Sequence, residues 1–206
     1  MMKKDIIKIR ASGYVYCNSE FYSAQDTISE NKEYTFLPGI NNLVGDIDSE
    51  NWAISYLISM YNRRSKDFIL FDKPKIELNG EAVGISELSA TACYMDKSYH
   101  LFSSKKTVRQ LVLQGIKRNH IELSADEVMA LFLISEDRFD RPLKGVGNEI
   151  FKAMAAVAYC NRKKVFCFPW MSYRRYDGYH YNLSGLLEIL ESLNKVVILP
   201  IGLKAN

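Results

Sequence analysis

The sequence is poor in the features that mark secreted, membrane-spanning and disulfide-rich proteins. Its four cysteines, Cys17, Cys93, Cys160 and Cys167, lie far apart and form no CxxC pair. We therefore expect buried or reduced thiols in a cytoplasmic protein rather than a disulfide framework. No signal peptide is visible, and no apolar run reaches the roughly 20 residues that a membrane-spanning helix needs. We expect any work at a membrane to depend on a partner protein.

Charge and catalytic motifs are equally sparse. The net charge of +3 is small and no arginine-rich run is present, which argues against nucleic acid as a partner. His100, His120 and His180 lie near no cysteine or carboxylate pattern, so we predict no metal site. No G-x-S-x-G motif occurs, so serine hydrolase chemistry has no support. The 206 residues, 48% of them hydrophobic, suit a single globular domain spanning residues 1–206.

The first third of the chain is rich in short strand patterns. Residues 4–10 begin a strand, and Phe68–Phe71 and Lys75–Leu78 predict two more. Asn79-Gly80 is a strong hairpin signal, and Glu81–Val83 would return from that turn. These segments predict an antiparallel strand layer near the N-terminus.

A helical insertion is predicted in the middle of the chain, between about residues 97 and 150. Thr107 is a suitable N-cap for a first helix, and Ser124 with Glu127 has the capping-box spacing for a second. The segment Phe139–Glu149, which contains one proline and two glycines, is predicted to be a loop.

The C-terminal part alternates helical and strand patterns. Ala90–Met95 predicts one strand, and the wholly apolar runs Val165–Phe168 and Val196–Leu199 are typical of buried parallel strands. Helices are predicted at residues 150–161 and 183–193. This alternation predicts a parallel arrangement with right-handed crossovers, and hence an α/β fold with a mixed core sheet flanked by helices.

Residues 34–60 predict a strand, a loop led by Gly45 and a helix. The strand would run from Tyr34 to Leu37 and resume at Ile40–Val44 after a Pro38-Gly39 turn. A phosphate-binding loop has this layout, because the amide groups at the start of a helix attract anions.

The candidate nucleotide-binding residues of this loop are Gly45, Asp46, Asp48, Ser49, Asn51 and Trp52. Laid from Gly45, the phosphate-loop pattern G-x-x-x-x-G-K-[ST] meets Glu50, Asn51 and Trp52 where Gly, Lys and Ser/Thr belong. The carboxylates of Asp46, Asp48 and Glu50 would repel a phosphate. Three interpretations stay open: a structural turn, an altered nucleotide site, and a site for a cation or a basic partner.

The order of these landmarks resembles that of the ATP-binding subunit of an ABC transporter, across roughly residues 5–202. Gly45 stands where that family has its Walker A loop, and Tyr94-Met95-Asp96 stands where it has its Q-loop. The predicted insertion at residues 97–150 is similar to the family's helical subdomain. The resemblance implies a P-loop-NTPase-like cassette fold.

Three further segments carry the resemblance. Gly145–Lys152 resembles the family signature L-S-G-G-Q-x-x-R. Lys164–Ser172 resembles the Walker B strand with its D-E-P-T tail, and Lys195–Gly202 resembles the strand that delivers the switch histidine. The signature-like residues are Gly145, Gly147, Asn148, Glu149 and Lys152.

The departures from the family pattern fall on the groups that handle phosphate. Asp96 stands at the Q-loop glutamine, Pro169 and Trp170 at the Walker B aspartate and catalytic glutamate, and Gly202 at the switch histidine; the Walker A lysine is missing. Phosphoryl transfer depends on a lysine, on Mg²⁺ and on a group that positions water. The resemblance therefore implies a retained fold without the usual route of ATP hydrolysis. We assign no catalytic residue, expect no cofactor, and expect at most weak ATP binding.

Two stretches are candidate interfaces. The segment 170–181 interleaves aromatic residues with arginine, as binding surfaces do, and the alternative is a loop that covers the end of the sheet. Its candidate contact residues are Trp170, Tyr173, Arg174, Arg175 and Tyr176. Leu101 and Phe102 lie in a connecting segment, where apolar side chains indicate either a docking groove or a covered loop.

The resemblance implies a non-hydrolysing cassette-like subunit that pairs with itself or with an active cassette and binds a membrane permease. Such subunits fit peptide or bacteriocin export and immunity, with the protein cytoplasmic or peripheral at the inner face of the cell membrane. Two alternatives stay open. One is a stand-alone binding or regulatory protein with the same fold, and the other is an enzyme with a rebuilt acidic site at Asp46, Asp48 and Glu50.

Overall fold

The computed structural model describes residues 7–17, 25–45, 51–70, 74–96 and 101–203. Its strands are β1 (Ile7–Cys17), β2 (Gln25–Phe36), β3 (Gly39–Val44), β4 (Phe68–Leu70), β5 (Lys75–Leu78), β6 (Glu81–Val83), β7 (Ala92–Tyr94), β8 (Val165–Cys167) and β9 (Val196–Ile201). Its α-helices are α1 (Asn51–Arg64), α2 (Ile85–Thr91), α3 (Val108–Asn119), α4 (Ala125–Leu131), α5 (Glu136–Phe139), α6 (Ile150–Cys160) and α7 (Tyr173–Ser192).

The strands form two sheets. The core sheet has the order β3-β9-β8-β7, and its described strands are all parallel. The second sheet is antiparallel, with the order β2-β1-β5-β6 and with β4 also paired to β1. Helices α3 to α6 follow β7 and precede β8, and α7 connects β8 to β9. The predicted α/β fold, with helices on the core sheet and an N-terminal antiparallel layer, is confirmed.

Both faces of the core sheet are buried, as the apolar runs predict. In β9, Val197 and Leu199 pack with the helical layer, whereas Val196 and Ile198 pack with α1 and the antiparallel sheet. Successive side chains of a strand point to opposite faces, so a strand buried on both sides must be apolar throughout. Every residue of α1 from Ala53 to Met60 is buried, because the helix lies between the two sheets.

The prediction of one interrupted strand at residues 34–44 is wrong. Tyr34 and Phe36 end β2 in the antiparallel sheet, and the chain then enters the parallel sheet as β3. The reversal lies at Pro38-Gly39, where Gly39 has a φ of 105°, a conformation that glycine adopts without steric cost. The Asn41 side chain closes the turn, because its Oδ1 accepts from the Leu37 N–H at 3.0 Å and its Nδ2 donates to the Leu37 carbonyl at 2.8 Å.

Helix α7 begins ten residues before the predicted start at Leu183. Residues 173–181 are therefore helical rather than a loop that covers the sheet end. Ser172 is the N-cap, and its hydroxyl accepts from the Arg175 N–H at 3.3 Å. Gly178 and the aromatic residues around it weaken the helical pattern of the sequence, but tertiary packing of the helix overrides that weak preference.

Two more short helices were missed by the sequence pattern. Residues 85–91 form α2 before the strand predicted from Ala90, so β7 is only Ala92–Tyr94. Part of the predicted loop at Phe139–Glu149 is also ordered, because α5 ends at Phe139 and two 3-10 turns follow. The two predicted N-caps are confirmed, and both Thr107 and Ser124 form complete capping boxes.

The contact between α3 and α6 gives a first stability prediction. A Cβ atom added to the buried Gly115 would lie 2.8 Å from Cys160 Cβ and 3.1 Å from its carbonyl carbon and oxygen. We expect Gly115→Ala to lower the free energy of unfolding by about 1–3 kcal/mol through overpacking, despite the roughly 1 kcal/mol gained in helix propensity. Urea denaturation measures this difference.

Gly178→Ala is the matched control, because Gly178 also lies in a helix but has no heavy atom within 4 Å of the added methyl. This variant should gain about 0.5–1 kcal/mol from helix propensity alone. Equal stabilisation of both variants would contradict the close packing of α3 on Cys160.

Candidate functional site

The carboxyl ends of the four parallel strands meet at one edge of the core sheet, where open α/β sheets bind their ligands. Backbone hydrogen bonds extend the sheet to this edge. The Gly45 N–H donates to Ile201 O at 2.9 Å, the Met95 N–H to Cys167 O at 2.8 Å, and the Gly202 N–H to Met171 O at 2.8 Å. The residues predicted to stand at Walker A, the Q-loop, Walker B and the switch histidine therefore end neighbouring strands.

The side chain of Trp170 lies across this edge. Its indole Nε1 donates to the Gly45 carbonyl at 2.9 Å, so a residue that follows β8 reaches the end of β3. Strand β9 lies between those two strands, and Gly202 directly follows its last residue, Ile201. A Cβ atom on Gly202 would lie only 2.9 Å from Trp170 Cζ2, so the indole covers the end of β9. The chain's own aromatic ring therefore covers the edge at the ends of β3 and β9.

Helix α7 begins at the same edge. A Cβ atom on Gly202 would lie 3.2 Å from both Ser172 Cα and the backbone N of Tyr173. Ser172 is itself the N-cap, and its hydroxyl accepts from the amide of Arg175, one of the orphan amides of the first turn. Part of the anion-attracting capacity of this helix start is therefore used within the chain.

A buried serine of α1 bonds the end of β8 from the other face, and a second buried serine lies one turn further along the helix. Ser55 Oγ donates to the Phe168 carbonyl at 2.7 Å, and Ser59 Oγ donates to the Ser55 carbonyl at 2.8 Å. Burial raises the pKa of the neighbouring Cys167 thiol well above its usual value, so the thiol stays neutral. These contacts fix α1 against β8, and sequence analysis did not single out either serine.

The loop predicted to bind nucleotide is only partly described. Asp46, Asp48, Ser49 and Glu50 lie outside the described residues. Asn51 and Trp52 are the first two residues of α1. Gly45, the remaining member of the set, lies directly below the Trp170 indole and accepts its hydrogen bond.

The signature-like residues are held by α5 and the residues that flank it. Arg138 Nη1 donates to the Val146 carbonyl at 2.8 Å and also to the Asn148 side chain. The carboxylate of Glu149 accepts from the Ser135 N–H at 2.9 Å and from its hydroxyl at 3.1 Å. Glu149 also lies 3.9 Å from Arg138 Nε. The side chains of Asn148 and Glu149 are thus engaged within the chain.

The other signature-like residues are more open. Gly145 and Gly147 are exposed, and Gly147 has a φ of 73° that favours glycine. Lys152 Nζ lies 3.4 Å from the Leu133 carbonyl. No sequence signal predicted the part that Arg138 plays here, because its partners are identified only by the fold.

A pocket lies between the signature-like segment and Asp96, the residue at the Q-loop position. This Phe102 pocket has a volume of about 370 Å³, and its lining includes Asp96, Phe102, Asn148, Phe151, Met154 and Arg175. Leu101 is also partly buried and packs against the helical core. The segment therefore combines the two predicted alternatives, because Leu101 and Phe102 are half-covered while Phe102 borders an open pocket.

The remaining interface candidates lie on the first turn of α7. Arg174 and Arg175 are exposed, whereas Tyr173 and Tyr176 are half-buried, and Tyr176 packs against the helical core. Arg175 lines the Phe102 pocket, so α7 contributes to both the pocket and the sheet edge. These residues were predicted in a loop, but they share one helical turn.

Within the described part of the chain, no three histidine, cysteine, aspartate or glutamate side chains are placed to hold a metal ion. Among the described helices, none combines the length and the hydrophobicity needed to span a membrane.

Comparisons with known proteins place the fold. No family model matches the sequence, and no curated protein matches it. A putative ABC transporter ATP-binding protein from Pyrococcus furiosus superposes with a TM-score of 0.60 at 15% identity, over 98% of this chain and 92% of that one. MJ1267, an ATP-binding cassette of an ABC transporter solved in its ADP conformation, gives 0.62 at 12% identity, over 99% and 83%.

A bacterial Atm1-family ABC exporter with ATP bound is also similar, with a TM-score of 0.60 at 11% identity. The match covers 100% of this chain and 35% of the exporter chain. At such identities the likeness concerns the fold, and the chain has the fold of an ABC transporter ATP-binding cassette.

The contact between Gly202 and Trp170 gives a second prediction. We expect Gly202→Ala to lower the free energy of unfolding by about 1–3 kcal/mol, because its methyl group would overlap the indole and approach the backbone of Ser172. The indole should leave the edge, and its fluorescence emission should shift to longer wavelength. Emission spectra in a Trp52→Phe background isolate the signal of Trp170.

Gly185→Ala is the control for this variant, because nothing lies within 4 Å of a methyl group at that position of α7. An unchanged emission spectrum and unchanged stability of Gly202→Ala would contradict the placement of the indole over the end of β9.

Proposed function

We propose that this protein is a non-hydrolysing ABC-type cassette-like subunit that associates with a membrane transporter. The observation that carries the proposal is the Trp170 indole, which lies across the carboxyl edge of the sheet and is anchored to Gly45. In a fold whose ligands bind at that edge, an internal ring in this place disfavours the phosphates of a nucleotide.

The residue types at this edge support the absence of hydrolysis. Hydrolysis of ATP needs charges that neutralise the phosphates and a group that orients the attacking water. Pro169, Trp170 and Gly202 can neither hold Mg²⁺ nor position a water molecule. Asn51 offers no positive charge where a phosphate loop has its lysine. ATP binding, if it occurs, is weak in this proposal.

The Phe102 pocket is the proposed contact with the membrane subunit. Its apolar walls and its charged rim, which is acidic at Asp96 and basic at Lys144 and Arg175, suit an amphipathic segment of a permease. Residues 97–150 act in this proposal as a helical subdomain that receives the permease. The chain is then cytoplasmic and peripheral at the inner face of the cell membrane.

Pairing with a second cassette is the other part of the proposal. Gly145, Gly147 and Arg174 are exposed, and Gly147 lines the Phe102 pocket together with Asp96, which follows β7 at the sheet edge. A homodimer or a heterodimer with an active cassette would use this side. Pairing with an active cassette supplies the hydrolysis that this chain lacks, and peptide or bacteriocin export or immunity is the proposed setting.

The test is co-purification from solubilised membranes of the native host. The tagged chain should elute in detergent as a stable complex with a multi-span membrane protein and with a cassette, either its own copy or an active one. Elution as a free monomer from both the membrane and the soluble fractions would contradict the proposal and favour a stand-alone regulatory protein.

A further inference from the structure

A pocket at the opposite end of the molecule has no part in the proposed function. It lies between the C-terminal half of α1, α2 and the edge strand β7, and it has a volume of about 340 Å³. The strands begin at this end, and Lys163, which precedes β8, reaches into it. We refer to it as the Lys163 pocket; its polar lining includes Ser59, Asn62, Arg63, Ser89, Cys93 and Lys163.

The described lining of the Lys163 pocket is basic. Two cations, Lys163 and Arg63, line it, and none of its described lining residues is acidic. Lys163 Nζ donates to the Ala90 carbonyl at 2.5 Å, which leaves two of the three ammonium N–H groups for another acceptor. Burial lowers the pKa of Lys163, and the like charge of Arg63 adds to that effect. An anion in the pocket would offset both the cost of burying the Lys163 ammonium group and its repulsion by Arg63.

A buried hydroxyl group faces the same space. Ser89 is 4% exposed, and its Oγ accepts from the Asn62 N–H at 3.3 Å. Among the described residues, none accepts a hydrogen bond from this hydroxyl. The Asn62 side chain is held by Ser86, whose Oγ donates to Asn62 Oδ1 at 2.6 Å while Asn62 Nδ2 donates to the Ser86 carbonyl at 2.7 Å. A buried donor without an acceptor is uncommon in native structures and needs an explanation.

We infer that the Lys163 pocket binds the oxyanion group, phosphate or carboxylate, of a small molecule. Lys163 contributes a point charge with hydrogen-bond donors, Arg63 adds positive charge to the lining, and Ser89 contributes a neutral hydroxyl donor. Apolar lining from Met60, Ala90 and Ala92 accommodates a small organic body beside that group. The pocket is independent of the nucleotide proposal, because α1 separates it from the edge at Gly45.

The test is an NMR titration of the ¹⁵N-labelled full chain with inorganic phosphate and, separately, with acetate, each against chloride at equal ionic strength. Saturable shifts are expected at the amides of Asn62, Ser89 and Cys93. Lys163→Met should weaken the apparent Kd at least tenfold, and Arg63→Gln several-fold. Lys117→Met, which removes an exposed lysine of α3, is the matched control and should leave the Kd unchanged.

Lys163→Met also removes the hydrogen bond to the Ala90 carbonyl and could destabilise the protein. In that case the affinity of Arg63→Gln decides the test. Saturation by either anion supports the inference and identifies the head group. Shifts with both anions that remain linear and equal to those in chloride would overturn it. An equal Kd in the wild type, Lys163→Met and Arg63→Gln would also overturn it, as would saturable shifts confined to Gly45 and Gly202.

Discussion

Purified protein is expected to release phosphate from ATP no faster than a protein-free control, with or without Mg²⁺. Mutational losses of single transition-state-stabilising groups in enzymes cost about 10²–10³ in rate. Here Asp96, Pro169, Trp170 and Gly202 replace the groups that the resemblance leads one to expect, and the phosphate-loop lysine is missing. Their combined loss is expected to reduce the chemical step below detection.

Trp170→Ala is the control that distinguishes two causes of the absent hydrolysis, obstruction by the indole and loss of the catalytic groups. Removal of the indole opens the edge at Gly45 but supplies neither a lysine nor a Mg²⁺ ligand. This variant should therefore also show no turnover. Mg²⁺-dependent hydrolysis that survives purification and disappears on changing Asp46 or Asp48 would contradict the account and favour an enzyme with a rebuilt acidic site.

Phe102→Asp is expected to abolish capture of the membrane partner, by at least about 100-fold in affinity, while the isolated protein stays folded. Phe102 is only partly buried and borders the pocket that also contains Asp96. A carboxylate there would be desolvated on docking, which disfavours the complex. Aromatic residues at the centre of an interface often carry most of the binding free energy.

Leu113→Asp is the matched control, because Leu113 is 49% exposed on α3 and does not line the Phe102 pocket. It should retain both the melting temperature and partner capture. The competing explanation is that the segment is a covered loop. In that case Leu101→Asp and Phe102→Asp would both unfold the protein at a cost of several kcal/mol, and docking at this pocket would be excluded.

The sequence predicted the elements whose signals are local. The apolar runs at Val165–Phe168 and Val196–Leu199 indicated buried parallel strands, because a strand covered on both faces must be apolar throughout. Thr107 and Ser124 identified helix starts, because their capping partners lie only three residues away. Sequence analysis did not identify Ser172 as the start of α7, because the glycine and aromatic residues after it favoured a loop.

The features that sequence analysis missed depend on long-range contacts. The switch of sheets at Gly39 requires knowledge of which strands pair with β2 and β3. Trp170 was predicted to be an interface residue, yet its indole is bonded to Gly45, 125 residues away along the chain. Ser55 contacts the Phe168 carbonyl across 113 residues, and nothing in its local sequence indicates that bond.

The most direct test of the central claim is a calorimetric titration of the purified wild-type chain with ATP and Mg²⁺. The account predicts no Kd tighter than roughly 1 mM, which corresponds to about −4 kcal/mol, because the Trp170 indole covers the edge and no lysine compensates the phosphate charge. A micromolar Kd at one ATP per chain, with a shift of the Trp170 fluorescence emission on binding, would contradict it.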